Sequence, residues 1–406
     1  AMFGPWHGAS VICGQSARYL DSWLMSPDLC REAFVRSARS VDLSLVLGRF
    51  ENQNDRAPAG GTLGELCRWL KLPKVVILDV SQLDNCELPE MPQGTCGLLL
   101  DRVPVHSMAY QQTRWETLCG VPVLGMLPEL AQQRAKVGQQ GGERRETRCV
   151  CGQLGRQLAR TLDTAGLLDL AAVAEPLSST TWAFQPRRYL EGLTVAVAYD
   201  DAFHGYFPDV LDLLEIRGAS VVDFSPLHDG ALPPGTDVVY IGCGHPERHA
   251  EALAANQCLA VALRDYVQND GRLYAEGGGL AYLCRSVQLA TGRWAPMTGI
   301  LPAVAFRLPD GIAPQATEIR LAHDHWLAPR GTKLRGYLNP TWRFEPAGSL
   351  TEYAAAPNHP FDLVGDRQAF GSRLHLNFAA EPEFLRRFSS KNLAQDYRPD
   401  AHSPSI

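Results

Sequence analysis

The alternation of hydrophobic and polar positions divides the chain into two successive runs of strands and helices. In the first run, Asp28 to Ser40 and Thr62 to Leu72 place their apolar residues at helical spacing. A continuous β-branched segment, Lys74 to Val80, follows, and Gly97 to Leu100 and Val121 to Met126 are similar apolar runs. Such runs are typical of buried strands in a parallel sheet. The pattern predicts a doubly wound α/β domain.

The first run ends in polar sequence. Gln132 to Arg148 is polar and glycine-rich, and we expect a mobile loop there, followed by a helix at Leu154 to Leu170 that closes the domain. Glu175 to Arg188 contains two prolines and a Ser-Thr run, which is typical of a linker. The predicted first domain is therefore 1–174, and the predicted linker is 175–191.

The second run repeats the alternation of strands and helices. It predicts strands at Leu193 to Ala198, Ser220 to Phe224 and Asp237 to Ile241, and helices at Pro208 to Arg217 and Cys258 to Asn269. From Ile319 onwards the sequence is β-rich. The second predicted domain is 192–388, again doubly wound, and the polar tail 389–406 is expected to be disordered.

One stretch of the second run has the pattern of a reactive turn. Leu273 to Ala275 ends a buried strand, three glycines follow Glu276, and Leu280 to Leu289 has helical spacing. A strand, a sharp turn and a helix form a nucleophile elbow, which places one side chain beside the backbone N–H groups of a helix N-terminus. The residue at the tip is Gly277, which has no side chain to react.

Several motifs resemble those of cobyrinic acid a,c-diamide synthases. Ala275 to Leu283 resembles their Ala-Glu-Cys-Gly-Gly-Leu-Met-Tyr-Leu elbow, with glycine in place of the nucleophilic cysteine. Gly242 to Glu247 resembles their Gly-Gly-Gly-Tyr-Pro-Glu turn, and Leu374 to Phe378 their Tyr-Leu-His-Leu-His-Phe segment. Ala17 to Met25 is similar to Ser-Arg-Asn-Leu-Asp-Pro-Trp-Met. The matches keep one order along nearly the whole chain, which is identified as a degenerate member of this family.

The resemblance implies a class I glutamine amidotransferase-like second domain, in which an elbow cysteine and a histidine release ammonia from glutamine. His375 occupies the histidine position, and Gly242, Cys243 and Gly244 form the turn that supplies oxyanion donors. Gly277 leaves these positions vestigial, so His375 is expected to have a structural role. Cys243 faces the elbow and could approach as a substitute nucleophile, but we expect no glutaminase activity.

The resemblance also implies a dethiobiotin-synthetase-like first domain that uses ATP and Mg²⁺ to activate a peripheral carboxylate of a corrin-type tetrapyrrole. The sequence contains no Gly-x-x-x-x-Gly-Lys-Ser/Thr phosphate-binding loop. The family's loop lies upstream of the segment that Phe3 to Trp6 resembles, so the start of the sequence alone could account for that absence. It could not account for Leu47 or Trp6, which stand where the family has acidic residues. We therefore expect neither ATP nor Mg²⁺ to bind.

Three residues near the expected substrate cleft keep the family's pattern. Asp21 and Trp23 preserve its Leu-Asp-x-Trp motif, and Arg18 precedes them. The tryptophan could stack on a macrocycle and the arginine could pair with its carboxylates. The alternative is a helix N-cap with a packed aromatic residue. A His-x-His pair, His323 and His325, is expected to be polar surface, and no metal site is expected.

Composition excludes several other classes. The chain of 406 residues has 45% hydrophobic and 20% charged residues, a net charge of −6 and a pI near 6.0, so nucleic acid is not an expected partner. No apolar run reaches the roughly 18 residues of a membrane span. Eleven scattered cysteines favour a reducing cytoplasm. A homodimer is left open.

The preferred functional hypothesis is a catalytically inactive homologue, a pseudoenzyme that binds, carries or helps to assemble a corrin, sirohaem or haem-type tetrapyrrole. One alternative is an active amide synthase of tetrapyrrole carboxylates that uses non-standard residues or a partner subunit. Another is a structural subunit that only binds a partner protein.

Overall fold

A computed structural model of the chain divides into two compact units, Ala1–Thr181 and Trp182–Ile406. The division falls inside the predicted linker 175–191. The structure describes residues 14, 17–39, 41–48, 62–83, 89–138, 144–175, 177–178, 183–309, 314–338, 340–356, 359–380 and 382–389. Most of the predicted polar tail therefore lies outside the described residues.

The first unit contains a three-stranded parallel sheet in the order β1-β2-β3. Its strands are β1 (Lys74–Asp79), β2 (Thr95–Val103) and β3 (Val123–Pro128). The three apolar runs in the sequence correspond to these strands, and Leu98 and Leu100 of β2 are fully buried between their neighbours. The prediction of a parallel sheet from unbroken apolar runs is confirmed.

Six helices are described in the first unit. They are α1 (Pro27–Ala38), α2 (Leu63–Leu70), α3 (Met108–Cys119), α4 (Ala131–Gly138), α5 (Arg144–Leu158) and α6 (Thr164–Ala172). Local sequence sets where they begin. Ser26 accepts a hydrogen bond from the amide of Leu29, and Thr62 forms a capping box with Glu65.

The expected loop at Gln132 to Arg148 is wrong. Most of this segment lies in α4 and α5, since its alanine, arginine, glutamine and glutamate residues are good helix formers. Polarity alone does not distinguish a loop from a helix, because polar residues such as glutamine, glutamate and arginine have high helix propensity. The single helix predicted at Leu154 to Leu170 is two helices, because Asp163 accepts a hydrogen bond from the amide of Gly166 and begins α6.

The second unit is built on a seven-stranded sheet in the order β16-β17-β18-β9-β7-β4-β6. The strands from β18 to β6 run parallel, and β16 and β17 extend the sheet as an antiparallel pair. Its strands are β4 (Thr194–Ala198), β6 (Ser220–Phe224), β7 (Val238–Ile241), β9 (Arg272–Glu276), β16 (Thr351–Ala356), β17 (His359–Asp366) and β18 (Ala369–Ser372).

Three smaller sheets complete the second unit. Their strands are β5 (Phe203–Gly205), β8 (Cys243–Gly244), β10 (Ser286–Gln288), β11 (Trp294–Pro296), β12 (Ala303–Arg307), β13 (Gln315–Arg320), β14 (Lys333–Leu338), β15 (Trp342–Pro346) and β19 (Leu374–Leu376). They pair as β11-β10-β12-β15, β13-β14-β19 and β5-β8. The expected β-rich region is confirmed, and it begins earlier than Ile319.

The helices described in the second unit are α7 (Pro208–Ile216), α8 (Ala250–Ala255), α9 (Gln257–Gln268) and α10 (Gly278–Leu283). Strand β9 is central, with β7 on one side and β18 on the other, and the residues of α10 are buried directly after it. This puts the predicted elbow at the carboxyl edge of the parallel sheet, where ligands of α/β proteins commonly bind. No helix in the described residues has the length and apolar character needed to cross a membrane.

Candidate functional site

The turn between β9 and α10 has the backbone of a nucleophile elbow. Gly277 lies between the strand and the helix with φ 50° and ψ −107°. Its amide donates to the carbonyl of Ser372, and its own carbonyl accepts from the amide of Ala281. An L-residue with a side chain is strained in this conformation, whereas glycine adopts it freely. The predicted strand, turn and helix are present, but the expected helical segment Leu280 to Leu289 is too long. The helix ends at Leu283, and Ser286–Gln288 forms strand β10.

The next two glycines are required by close packing. A Cβ atom at Gly278 would lie 2.5 Å from the carbonyl oxygen of Gly244, and one at Gly279 would lie 2.4 Å from that of Ile241. Both obstacles are backbone atoms that cannot move aside without disturbing the turn after β7. The glycine triplet therefore holds α10 against that turn.

A thiol occupies the space beside Gly277. Cys243 lies in β8, and its Sγ atom would be 3.1 Å from a Cβ atom built at Gly277. The side chain of Cys243 is buried, with 7% of the residue exposed. The position left empty by the missing elbow side chain is thus approached from the opposite turn.

The same thiol belongs to a buried group of three ionisable side chains. The Sγ atom of Cys243 lies 3.4 Å from Nδ1 of His375, and Nδ1 lies 2.5 Å from Oε2 of Glu276. Glu276 is completely buried and His375 is 4% exposed. The hydroxyl of Tyr274 donates to Oε1 of Glu276 at 2.7 Å, and the ring of Phe207 stacks on the imidazole at 4.1 Å.

The thiol of Cys243 and the carboxylate of Glu276 contact the same nitrogen of His375. In a nucleophile–base–acid triad, the histidine receives the nucleophile's proton on one nitrogen while a carboxylate orients it through the other. Here the thiol and the carboxylate both lie on Nδ1. An Nδ1–H that donates to Glu276 cannot accept a proton from Cys243. In this position of the ring, Nδ1 can serve the carboxylate as a donor or the thiol as an acceptor, but not both at once.

Burial shapes the chemistry of the thiol. It raises the pKa of Cys243 well above its usual value, and the negative charge of Glu276 adds to the shift. Burial also raises the pKa of the Tyr274 hydroxyl well above its usual value. The thiol keeps its proton near neutral pH in this arrangement, and a protonated thiol is a weak nucleophile.

One expected oxyanion donor is already engaged. The amide of Gly242 donates to the hydroxyl oxygen of Tyr206 at 2.9 Å, and that hydroxyl donates to the carbonyl of Ala198. Gly244 lies in β8, which pairs with β5. The N–H of Gly242 therefore serves to fix the turn.

Comparison with known proteins identifies the family. Residues 194–382 match the model of the CobB/CobQ-like glutamine amidotransferase domain. The cobyrinate a,c-diamide synthase of Syntrophotalea carbinolica is 30% identical over 406 residues, which cover 91% of this chain and 85% of that protein. The chain belongs to the cobyrinate a,c-diamide synthase family.

Other likenesses are more distant. The hydrogenobyrinate a,c-diamide synthase of Streptomyces coelicolor is 27% identical over 433 residues, covering 93% of this chain and 87% of that protein. A solved glutamine amidotransferase shares 16% identity and covers 48% of this chain and 99% of its own, with a TM-score of 0.37. A TM-score this low supports no argument.

Two positions of the site differ from the motifs that the sequence resembles. The elbow motif has cysteine where this chain has Gly277, and the facing turn motif has glycine where it has Cys243. The expectation that Cys243 could approach the elbow from the facing turn agrees with its distance from position 277, whereas Glu276 had no role assigned from the sequence. The signal for Glu276 was its position at the end of the elbow strand, directly before the glycine triplet.

The residues expected to contact a substrate, Asp21, Trp23 and Arg18, lie in the first unit. Asp21 is buried, and its Oδ1 atom accepts hydrogen bonds from the backbone amides of Trp23 at 2.8 Å and Leu24 at 3.0 Å. Its carboxylate therefore fixes the turn before α1. Trp23 and Arg18 are half-buried, so part of each side chain faces solvent.

Leu47 and Trp6 are the two positions at which acidic residues were expected from the resemblance, and the structure describes only Leu47. Leu47 is 53% exposed in a segment, 41–48, with no regular helix or strand. Trp6 lies outside the described residues. Leu47 offers no oxygen ligand for a magnesium ion.

The His-x-His pair is divided between surface and core, since His323 is exposed as expected and His325 is buried. His325 is 5% exposed and its ring stacks on Phe370 at 4.1 Å, while Asp324 accepts the amide of Arg330. The expectation for His325 is wrong because aromatic packing gives the ring an apolar environment. Within the described ranges, the one group of three side chains placed to hold a metal is Cys243, Glu276 and His375.

Proposed function

We propose that this family member binds a tetrapyrrole of corrin, sirohaem or haem type and acts as a carrier or assembly protein, without glutamine-dependent amide synthesis. The ligand class is supported by its relatives, which are named as cobyrinate and hydrogenobyrinate a,c-diamide synthases. The observation that carries the non-catalytic part is Gly277. The elbow presents no nucleophile, and the space where one would stand contains the thiol of Cys243.

The surroundings of the elbow also support this proposal. Catalysis of amide hydrolysis needs an activated nucleophile and donors aimed at the developing oxyanion. The amide of Gly242 is bonded to Tyr206, and Nδ1 of His375 is shared by Glu276 and Cys243. Each group has a local partner that substrate would have to displace.

Ligand contact is assigned to Trp23 and Arg18. A half-buried indole can cover one face of a macrocycle, and a guanidinium can bind a peripheral carboxylate through paired hydrogen bonds. Asp21 acts as a positioning residue, since its carboxylate holds the backbone of Trp23.

Absorbance titration tests the proposal. Purified protein is titrated with sirohaem, haem and cobyrinic acid, and we expect saturable binding of at least one at micromolar concentration. Trp23→Ala should weaken that binding tenfold or more. The matched control is Trp294→Ala, a 48% exposed tryptophan of the second unit, which should leave it unchanged. If none of the three binds, this proposal fails, and the hypothesis of a structural subunit that only binds a partner protein replaces it.

ATP and Mg²⁺ are not part of the proposed function. Calorimetry with both should show no binding at micromolar concentration. A thermal stabilisation would contradict this, because a ligand at a hundred times its dissociation constant adds about 2.7 kcal/mol to stability.

A second candidate function is glutamine hydrolysis with Cys243 as the nucleophile, favoured by its 3.4 Å contact with His375. The thiol proton would pass to the imidazole, and sulfur would bond to the amide carbon. Ammonia would leave with that proton, and water would then cleave the thioester to glutamate.

Glutamate release separates the two candidates. We expect none from the wild-type protein incubated with glutamine. Release that disappears in Cys243→Ala and persists in Cys284→Ala, a buried cysteine outside the group, would establish the second candidate instead.

A further inference from the structure

We propose that Cys243, Glu276 and His375 form a binding site for a divalent transition metal ion of the zinc class. The three residues come from β8, the end of β9 and β19. One ligand atom from each lies within 4.8 Å of the other two. Thiolate sulfur, imidazole nitrogen and carboxylate oxygen are the donors that zinc selects. This inference does not depend on tetrapyrrole binding.

Counting protons gives the first argument. Nδ1 of His375 faces both Sγ of Cys243 and Oε2 of Glu276. A ring nitrogen has one lone pair or one hydrogen, so a proton there satisfies the carboxylate and leaves the thiol without an acceptor at Nδ1. A metal ion at the same point binds all three atoms at once.

The separation of sulfur and nitrogen matches that of a tetrahedral centre. Zinc lies about 2.3 Å from sulfur and about 2.0 Å from nitrogen or oxygen, which separates sulfur from nitrogen by about 3.5 Å. The distance from Sγ of Cys243 to Nδ1 of His375 is 3.4 Å. The distance from Nδ1 to Oε2 of Glu276 is 2.5 Å and must open to about 3.3 Å, which takes less than 1 Å of carboxylate movement.

Charge gives a third argument. Glu276 is completely buried, and a buried carboxylate is costly unless it is paired. A divalent ion held by one thiolate and one carboxylate forms a neutral group. Such a group would add to the hydrogen bonds that Glu276 already accepts from the Tyr274 hydroxyl and the Leu376 amide, and it would bring no net charge into the interior.

The side chains around the group already orient its ligands. The Tyr274 hydroxyl fixes Oε1 of Glu276, which leaves Oε2 for the ion. The face of Phe207 covers the imidazole of His375. Hydrogen bonds and packing of this kind hold metal ligands in place in known sites. Three protein ligands leave the fourth tetrahedral position for water or a small ligand.

Cobalt substitution tests the proposal on the full chain. The purified protein is treated with a chelator and a reductant, and Co²⁺ is added while absorbance is recorded. We expect one equivalent to bind with a thiolate-to-cobalt band in the near ultraviolet and the intense visible bands of tetrahedral Co²⁺. Zinc should displace both sets of bands.

The variants locate the ion. Cys243→Ala should lose the thiolate band and one bound equivalent, whereas Cys284→Ala, also a buried cysteine of the second unit, should keep both. Glu276→Gln preserves shape and should weaken Co²⁺ binding at least tenfold, which covers the case in which Cys243→Ala fails to fold. The proposal is overturned if the wild type takes up no cobalt. It is also overturned if Cys243→Ala keeps the thiolate band, or if Glu276→Gln binds Co²⁺ as tightly as the wild type.

Discussion

At the end of β9, the thiol of Cys243 lies next to the place where a side chain at position 277 would begin. Cys243 reaches to within van der Waals range of the place where a side chain at position 277 would begin, and it meets His375 there. Gly277 keeps the elbow backbone without its strain. At this scale the identities of two residues, both visible in the sequence, decide which side of the elbow carries the thiol.

Restoring the elbow nucleophile should require removing Cys243. We expect the double variant Gly277→Cys/Cys243→Gly to hydrolyse glutamine at least tenfold faster than Gly277→Cys, because the single variant leaves the thiol of Cys243 3.1 Å from the new Cβ. Glutamate release measures both, and Cys243→Gly alone should stay inactive. Equal rates in the single and double variants would show that Cys243 is no obstacle.

The buried His325 predicts acid sensitivity. Burial lowers its pKa from 6.5 to about 3, so the folded protein holds the ring neutral while the unfolded chain takes up a proton below 6.5. Stability is therefore lost as the pH falls below that value, by about 2 kcal/mol between pH 8 and pH 5 from this residue.

Urea unfolding at the two pH values checks this. His325→Phe, which keeps an aromatic ring against Phe370, should show about 2 kcal/mol less destabilisation between them than the wild type. His228→Gln, at an exposed position, should behave like the wild type. An undiminished pH effect in His325→Phe would assign the sensitivity to other groups.

At the scale of elements, hydrophobic periodicity located the strands because buried parallel strands are unbroken apolar runs. It missed α4 and α5, whose helical character rests on propensity in a polar segment. The elbow was predictable because its strand, glycines and helix are contiguous. The group around His375 was not, since Glu276 and Cys243 lie 99 and 132 residues away along the chain.

Two glycines should respond oppositely to alanine. Gly279→Ala places a Cβ atom 2.4 Å from a backbone oxygen and should destabilise the second unit by about 3 kcal/mol or more. Gly155→Ala, in the exposed last turn of α5 with nothing within 4 Å, should stabilise by up to about 1 kcal/mol. Denaturant unfolding measures both, and a neutral Gly279→Ala would contradict the packing argument for α10.

At the scale of the whole molecule, the second unit extends into the predicted linker. Arg217 is 2% exposed, and its guanidinium donates to the carbonyls of Ala183 and Gln185 and to the Tyr189 hydroxyl. Sequence composition favoured a linker here because prolines and small polar residues are typical of one. It gave no sign that a buried arginine 28 or more residues later would hold that segment in place.

The position of the boundary can be tested with two fragments. Residues 183–406 should fold as a stable unit, whereas 192–406 should be less stable by about 3 kcal/mol, because a buried guanidinium loses its acceptors. Thermal unfolding followed by circular dichroism compares them. Equal stability would show that 183–191 is a linker after all.

The contact between Cys243 and position 277 also has a redox consequence. A Cβ atom at 277 would lie 4.0 Å from the Cβ atom of Cys243 and 3.1 Å from its sulfur, a separation at which two cysteines form a disulfide. A chain with cysteine at both positions would hold an oxidisable pair, and oxidation would consume both thiols together. A single cysteine, at position 243 or at position 277, gives this site a reduced thiol. Cysteines at both positions would instead form a disulfide that cross-links β8 to the start of α10.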